Sequence, residues 1–154
     1  MNSRQSIDAF LSQKRLAVVG VSRNPKDFSR MLFRDLQSRG YDLVPVHPQM
    51  SDVEGVPCRA HVTDVVPPVD GALLMTSASV SNEVVRECAA AGIRRIWMYR
   101  ATGKGAVDPY AVEFCRKNGI EVVAGECPFL FLTPVGLIHR AHRFCKKLAG
   151  RYPN

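Results

Sequence analysis

Three times in this chain a glycine separates an amphipathic helical stretch from an apolar run close behind it: Gly40 before Asp42–Val46, Gly92 before Ile93–Tyr99 and Gly119 before Ile120–Ala124. Glycine suits these stops because the left-handed cap conformation costs it nothing sterically. A helix that stops on glycine and hands straight over to a short apolar strand is half of a βαβ unit. Repetition of that unit builds a parallel sheet, which buries both its faces under helices.

The remaining elements fit the same grammar. Leu16–Val21 is a short apolar run ending in a glycine-containing turn, as a fully buried first strand would be. Phe28, Met31, Leu32 and Leu36 trace the apolar face of the helix behind it, and Val80, Val84, Val85 and Cys88 trace the next, after an apolar run at Ala72–Met75. Asp108 followed by Pro109 reads as an N-cap with proline at the first helical position, and Val107, Ala111, Phe114 and Cys115 supply that helix's stripe. Pro45 removes a ladder donor from the second strand, so it marks the strand's end or an unpaired side. The interval 51–68 is irregular, with one turn of helix near Val62–Val66. After Pro134, Leu137, Ile138, Ala141, Phe144, Cys145 and Leu148 lie on one face of a terminal helix. The predicted architecture is α/β: a Rossmann-like, doubly wound, mostly parallel five-stranded sheet with helices on both faces and an added basic C-terminal helix. One domain is expected over 1–154, with its core at 14–132 and a basic helical extension at 133–154.

At 154 residues the chain is long enough for one core that needs no staples. No apolar run approaches the roughly 20 residues that span a bilayer. The first fifteen residues are too polar for a signal peptide, so cytosolic residence is expected. Five cysteines, an odd number with no C-x-x-C pair, argue against a disulfide framework, and nothing supports a metal site. Cys88 and Cys115 read as buried packing thiols. The net charge of +7 is concentrated in the tail, where Arg140, Arg143, Lys146, Lys147 and Arg151 meet no acid. It suits an anionic ligand or partner without naming one.

In a sheet of this kind ligands bind beyond the carboxyl ends of the strands, at the switch point. The first candidate is therefore V-V-G-V-S-R-N-P at 18–25, where Gly20 permits close backbone approach and Ser22 offers a hydroxyl. The following helix would aim free amides at an anion, and Arg23, Lys26 and Arg30 add positive charge. An ordinary tight turn explains the same residues, since G-x-S is looser than the three-glycine fingerprint. After the second strand a nicotinamide dinucleotide site carries an acid for the ribose; here Val46–His47–Pro48–Gln49 stands instead. His47 would tolerate a ribose phosphate, or is a surface histidine with no role. Thr76–Ser77–Ala78–Ser79 is small and hydroxylated at a third strand end, suited either to close ligand approach or to capping through Ser79 or Ser81. Trp97 and Met98 read as core, while Tyr99 and Arg100 are better placed for the crevice. No nucleophile–base constellation appears: the four histidines (47, 61, 139 and 142) are scattered, and Cys127 beside Glu126 has no base nearby in sequence.

Taken together, VVGVSRNP at 18–25, GYDLVPVHPQ at 40–49, GVPC at 55–58, PPVDGALLM at 67–75, AAGIRRIWM at 90–98 and NGIEVVAGECP at 118–128 resemble the stand-alone CoA-binding domain family. That family is related to the N-terminal domain of the succinyl-CoA synthetase α subunit. The resemblance implies a Rossmann-like fold that binds CoA, with Gly20, Val21, Ser22 and Arg23 at phosphate. Further contacts are implied at His47 and Pro48, at Thr76, Ser77 and Ala78, and at Tyr99 and Arg100. The synthetase's phosphorylated histidine belongs to a second domain outside the match, so binding is implied and catalysis is not.

The expected function is noncatalytic capture of CoA or acyl-CoA, as a sensor or carrier. An NAD(P)-binding oxidoreductase-like protein is the alternative, with NADP less disfavoured than NAD. A third reading makes the chain an interaction module of its basic terminal helix. Nucleic acid is disfavoured as a partner, and a homodimer or an acidic protein partner is left open.

Overall fold

Strand β1 (Arg15–Val19) is buried along nearly its whole length, and its side chains alternate between two hydrophobic layers. Leu16 and Val18 point to the layer that holds Leu32, Phe33 and Leu36, while Ala17 and Val19 point to the layer that holds Val84, Val85 and Cys88. This alternation is the period-2 signature of a sheet covered on both faces. The computed structural model describes residues 2–101 and 103–132, so the terminal helix expected after Pro134 lies outside the described residues, with His139 and His142.

The main sheet has five parallel strands in the order β2 (Asp42–Val46), β1, β5 (Gly71–Leu74), β6 (Arg95–Met98) and β7 (Glu121–Ala124). Helices α1 (Arg4–Leu11) and α2 (Phe28–Ser38) cover one face; α3 (Ala78–Ala90) and α4 (Pro109–Lys117) cover the other. The chain passes from β1 outward to β2, then crosses back over β1 to β5. The reversal point is therefore between β1 and β5, where α2 and α3 leave the sheet on opposite faces and doubly wound folds place their ligand crevice.

The glycine stops fold as expected. In each case the residue after the glycine donates its amide back into the last helical turn: Tyr41 to the Leu36 carbonyl at 3.2 Å, Ile93 to Cys88 at 2.9 Å and Ile120 to Cys115 at 2.9 Å. With the glycines at positive φ, these are Schellman caps, which satisfy orphan carbonyls and aim the chain into the next strand. Asp108 caps α4 by accepting the Ala111 amide at 2.8 Å. Cys88 and Cys115 are fully buried, and burial pushes their thiols up to about 12 and about 11, so both are inert packing groups.

Several details depart from the sequence pattern. Met31 and Val80 stand 45% and 44% exposed, and the buried positions are Phe33 on α2 and Ser81 on α3. Helix α1 was not expected. Ser3 caps it, and its Ile7 and Phe10 are buried, with the Phe10 ring edge-on to Trp97 at 5.4 Å. The irregular interval contains a hairpin, β3 (Asp52–Val53) and β4 (Val56–Pro57), joined by Glu54 and Gly55 at φ 49° and 79°. The turn of helix near Val62 is a single 3₁₀ turn, Val62–Asp64.

Among the described residues, each sheet edge has one end paired by something other than a strand. On β2, Pro45 turns its ring nitrogen to the outer side, and its carbonyl accepts the Arg59 amide at 3.0 Å while His47 donates to the Arg59 carbonyl at 2.9 Å. That is the unpaired side on which a proline is tolerated. On β7 the Asn2 side-chain amide takes both backbone groups of Ala124, each at 2.8 Å. Among the described residues no helix is long and apolar enough to cross a membrane, and no cluster of His, Cys, Asp and Glu could hold a metal ion.

The cap at Gly92 offers a clean test, because nothing lies within 4 Å of where a Cβ would stand and only the backbone at φ +77° resists a side chain. Gly92→Ala should lower the unfolding free energy by about 1 kcal/mol. Urea denaturation would show it as a lower midpoint with an unchanged slope.

Candidate functional site

The crevice forms where the carboxyl ends of β1 and β5 meet, and the contact there is unusually close. Gly20 sits at φ +86°, and a Cβ added to it would stand 2.8 Å from Thr76 Cγ2 and 3.1 Å from the Met75 carbonyl carbon and the Thr76 nitrogen. Only glycine satisfies both the backbone angle and the space. The Gly20 amide also donates to the Val46 carbonyl at 3.2 Å, so this one residue ties together the ends of β1, β2 and β5. The space a Cβ would take on Gly20 is filled by Thr76.

From Gly20 the loop 20–27 is held by its own short polar side chains. Ser22 donates its amide to Ser29 Oγ at 2.9 Å and accepts the Asn24 amide on its own Oγ at 3.1 Å, while Asn24 Oδ1 accepts the Lys26 amide at 3.0 Å. Asp27 is the N-cap of α2, taking the Ser29 amide at 2.8 Å and the Ser29 hydroxyl at 2.5 Å. An acid therefore already occupies the tip of α2, where an anion was expected to bind. The amides of Val21 and Arg23 have no partner among the described residues, and these are the donors the loop presents.

Across the contact, helix α3 starts at Ala78 with Ser77 as N-cap, and Ser77 makes no side-chain cap bond. Neither Ser79 nor Ser81 caps it. Ser81 is buried and exchanges a hydrogen bond with the Thr76 hydroxyl at 2.7 Å, while Ser79 pairs with the Ser77 hydroxyl at 3.2 Å. The first-turn amides of Ala78, Ser79 and Val80 are thus unpaired at the positive end of a 13-residue helix.

Beyond β2, Arg23 reaches over to Gln49 Oε1, joining the first and second strand-end loops. His47 Nδ1 accepts the Gln49 amide at 3.0 Å, so the neutral ring carries its proton on Nε2. Burial, and then the Arg23 charge, hold this histidine below its ordinary pKa. Pro48 follows, exposed, and the segment 46–49 carries no carboxylate. Arg59, backbone-paired to β2, adds a cation that was hidden in the irregular interval.

Beyond β6, Tyr99 stacks on Phe28 at 5.1 Å, and Phe129 meets Phe28 edge-on at 5.6 Å. Burial pushes the Tyr99 hydroxyl up to about 12, with the nearby Cys127 and Asp27 adding to the shift, so it is a neutral hydroxyl at physiological pH. Arg100 is exposed and lies against Gly125, close enough that a Cβ there would stand 2.8 Å from its guanidinium. Trp97 and Met98 are core, as expected, with the Trp97 indole donating to the Glu126 carbonyl at 2.9 Å. Gly20 and Thr76 therefore meet at one contact, with Val21 and Ser22 following on one segment and Ser77 and Ala78 on the other. Arg23, His47 and Pro48 flank it on the β2 side; Tyr99 and Arg100 lie on the β6 side. The aromatic trio and the Asp27 cap were missed, although Asp27 just ahead of an apolar helical face is a legible N-cap signal.

A doubly wound α/β domain whose free amides converge at the switch point of a parallel sheet defines a class of ligand-binding domain. The chain belongs to the CoA binding domain family, whose model matches residues 14–133. It is 24% identical over 138 residues to the α subunit of an ADP-forming acetate–CoA ligase II from Pyrococcus furiosus, covering 85% of this chain but 30% of that subunit. It is also 25% identical over 114 residues to the uncharacterized protein YneT of Bacillus subtilis, covering 74% of this chain and 82% of that protein. Among solved structures, a conserved hypothetical protein from Pyrococcus furiosus superimposes with a TM-score of 0.67 at 29% identity, covering 74% of this chain and 95% of that one.

The two described histidines should titrate on opposite sides of the ordinary value near pH 6.5. His47 is held down, whereas the Glu87 carboxylate, 3.0 Å from the His61 ring, raises His61. By linkage, the His47 contribution to stability is present above pH 6.5 and lost as pH falls through its folded value; the His61 contribution is present below pH 6.5 and lost as pH rises through its own. Ring-proton NMR over pH 4–9 checks the order. His47 titrating above His61 would contradict the assignment of both environments.

Proposed function

We propose that this chain binds CoA or an acyl-CoA in the crevice between the ends of β1 and β5 and does not transform it. The observation that carries the reading is the Gly20–Thr76 approach, which brings the unpaired amides of Val21 and Arg23 next to the uncapped first turn of α3. Such amides suit phosphate oxygens, and a pyrophosphate needs donors on two adjacent segments. Arg23 and Arg59, with neutral His47 in place of an acid, suit an additional phosphate on the ribose. The Phe28–Tyr99–Phe129 rim offers an apolar wall for the uncharged arm of the ligand. The residues present therefore fit the group the family binds. Gly20, Val21, Ser22, Arg23, Thr76, Ser77 and Ala78 would hold phosphate. His47 and Pro48 would face the ribose side, and Tyr99 and Arg100 the arm.

In this reading the protein works in the cytosol as a sensor or carrier. What the bound thiol or thioester supplies chemically is its own reactivity; the chain supplies capture and orientation. NADP is the second ligand to test, because the strand end at His47 carries no acid and stands beside Arg23.

Calorimetric titration of the full chain with CoA should give saturable binding, weakened at least tenfold when the 3′-phosphate is removed from the ligand. NADPH should compete poorly. Gly20→Ala, which forces apart the β1 and β5 ends, should abolish binding while circular dichroism keeps its α/β signature. Absence of heat with CoA or acyl-CoA at millimolar concentration, together with tight NADPH binding, would transfer the site to the second ligand.

A further inference from the structure

The turn residue of the β3–β4 hairpin is linked through α2 to the loop 20–27. Glu54 adopts φ +49°, a backbone conformation disfavoured for any residue with a Cβ, and its carboxylate is the meeting point of two arginines from α2. Arg30 donates to Glu54 Oε1 through Nε and Nη2, each at 2.9 Å, and Arg34 donates to the same oxygen through Nη1 at 2.9 Å. The other edge of the Arg30 fork reaches the glycine loop: its Nη1 donates to the Ser22 carbonyl at 3.3 Å and the Arg23 carbonyl at 3.4 Å. Arg34 Nη1 likewise reaches the Pro25 carbonyl at 3.3 Å.

The consequence follows from peptide geometry. In a planar trans peptide the carbonyl and the next amide point opposite ways. With the Ser22 carbonyl turned onto Arg30, the Arg23 amide is turned away from it, and that amide is one of the two unpaired donors of the loop. Arg30 can hold this carbonyl only while its guanidinium is fixed, and Glu54 fixes it from the far side. The side chains are 13% and 21% exposed, so the pair is shielded enough for its geometry to persist. Burial alone would raise the Glu54 carboxyl, but the bonds and charges of Arg30 and Arg34 outweigh it and hold the group below the ordinary carboxylate range. Arg30 is thereby neutralised, and its part in the site is orientation of backbone rather than charge toward a ligand.

We propose that Glu54, acting through Arg30, is a positioning residue for the Gly20–Arg23 loop: the hairpin sets the direction of the loop's donors without touching the ligand. The affinity consequence rests on the CoA reading; the conformational consequence does not.

Two measurements separate them. In the ligand-free full chain, Glu54→Gln should speed amide hydrogen exchange about tenfold at Ser22 and Asn24, whose bonds exist only in this loop conformation, and leave Val85 and Cys88 in α3 unchanged. Arg30→Lys, which keeps the charge but cannot fork between carboxylate and carbonyl, should do the same and serves if the first variant folds poorly. Val53→Ala removes a fully buried hairpin contact without touching the charges; it should lower the melting temperature and leave loop exchange as it was. With CoA, Glu54→Gln should weaken binding about tenfold. Wild-type affinity should also fall as acidification protonates Glu54, and the variant should lack that pH dependence. Unchanged Ser22 and Asn24 exchange in folded Glu54→Gln, or equal acceleration in Val53→Ala, would overturn the proposal. Failure of the wild type to bind CoA would overturn the ligand reading, with the exchange experiment still deciding the positioning role.

Discussion

At the ends of β1 and β5 two chain segments approach more closely than any residue with a side chain would permit, and the geometry of the crevice follows from that approach. Gly20 gives its missing Cβ to Thr76, its amide to Val46 and its positive φ to the turn that launches the loop. Because α2 and α3 depart on opposite faces, the two loops diverge immediately above the contact, leaving backbone donors on both sides of a narrow opening. The demand is steric before it is chemical: glycine is needed to assemble the strand ends, and the donors are exposed as a result.

Charge around this opening is mostly spoken for. Glu54 neutralises Arg30 and Arg34, Asp27 occupies the tip of α2, and Arg23 is turned toward Gln49. The positive character left at the strand ends resides in unpaired amides, in the open first turn of α3 and in exposed cations such as Arg59 and Arg100. In the proposed reading, an anion would be recognised here by direction as much as by charge. Backbone donors cannot swing to follow a misplaced ligand.

Much of the fold was legible because its signals are local and repeated. Glycine stops at 40, 92 and 119 marked helix ends, and Asp108–Pro109 marked a helix start. Apolar runs marked strands, and Pro45 announced its outward-facing side. What escaped detection had no periodicity to display. Two-residue strands around Glu54–Gly55 show no alternation, and the turn lacks the usual Asn-Gly or Asp-Gly pair. Helix α1 is eight residues long, with too few apolar positions to stand out. The helix faces kept Leu32, Leu36, Val84, Val85 and Cys88 but lost one expected member each for a tertiary reason: Met31 and Val80 are exposed while Phe33 and Ser81 are inward, because packing against the sheet chose the stripe. The candidate site was legible as a set of strand ends. The assignment of each side chain was not, since the roles of Thr76 in filling the space over Gly20 and of Arg30 in holding carbonyls depend on segments far apart in sequence.

The edges of the main sheet carry a consequence for how this molecule meets others. An exposed strand edge is a template that any passing extended chain can copy. Here Pro45 and the Arg59 backbone occupy one margin, and Asn2, with an amide that imitates a peptide group, blocks the last rung of the other. Growth by adding strands is therefore discouraged on both sides. At these rungs an approaching chain meets a proline ring and side-chain or loop amides in place of free strand backbone.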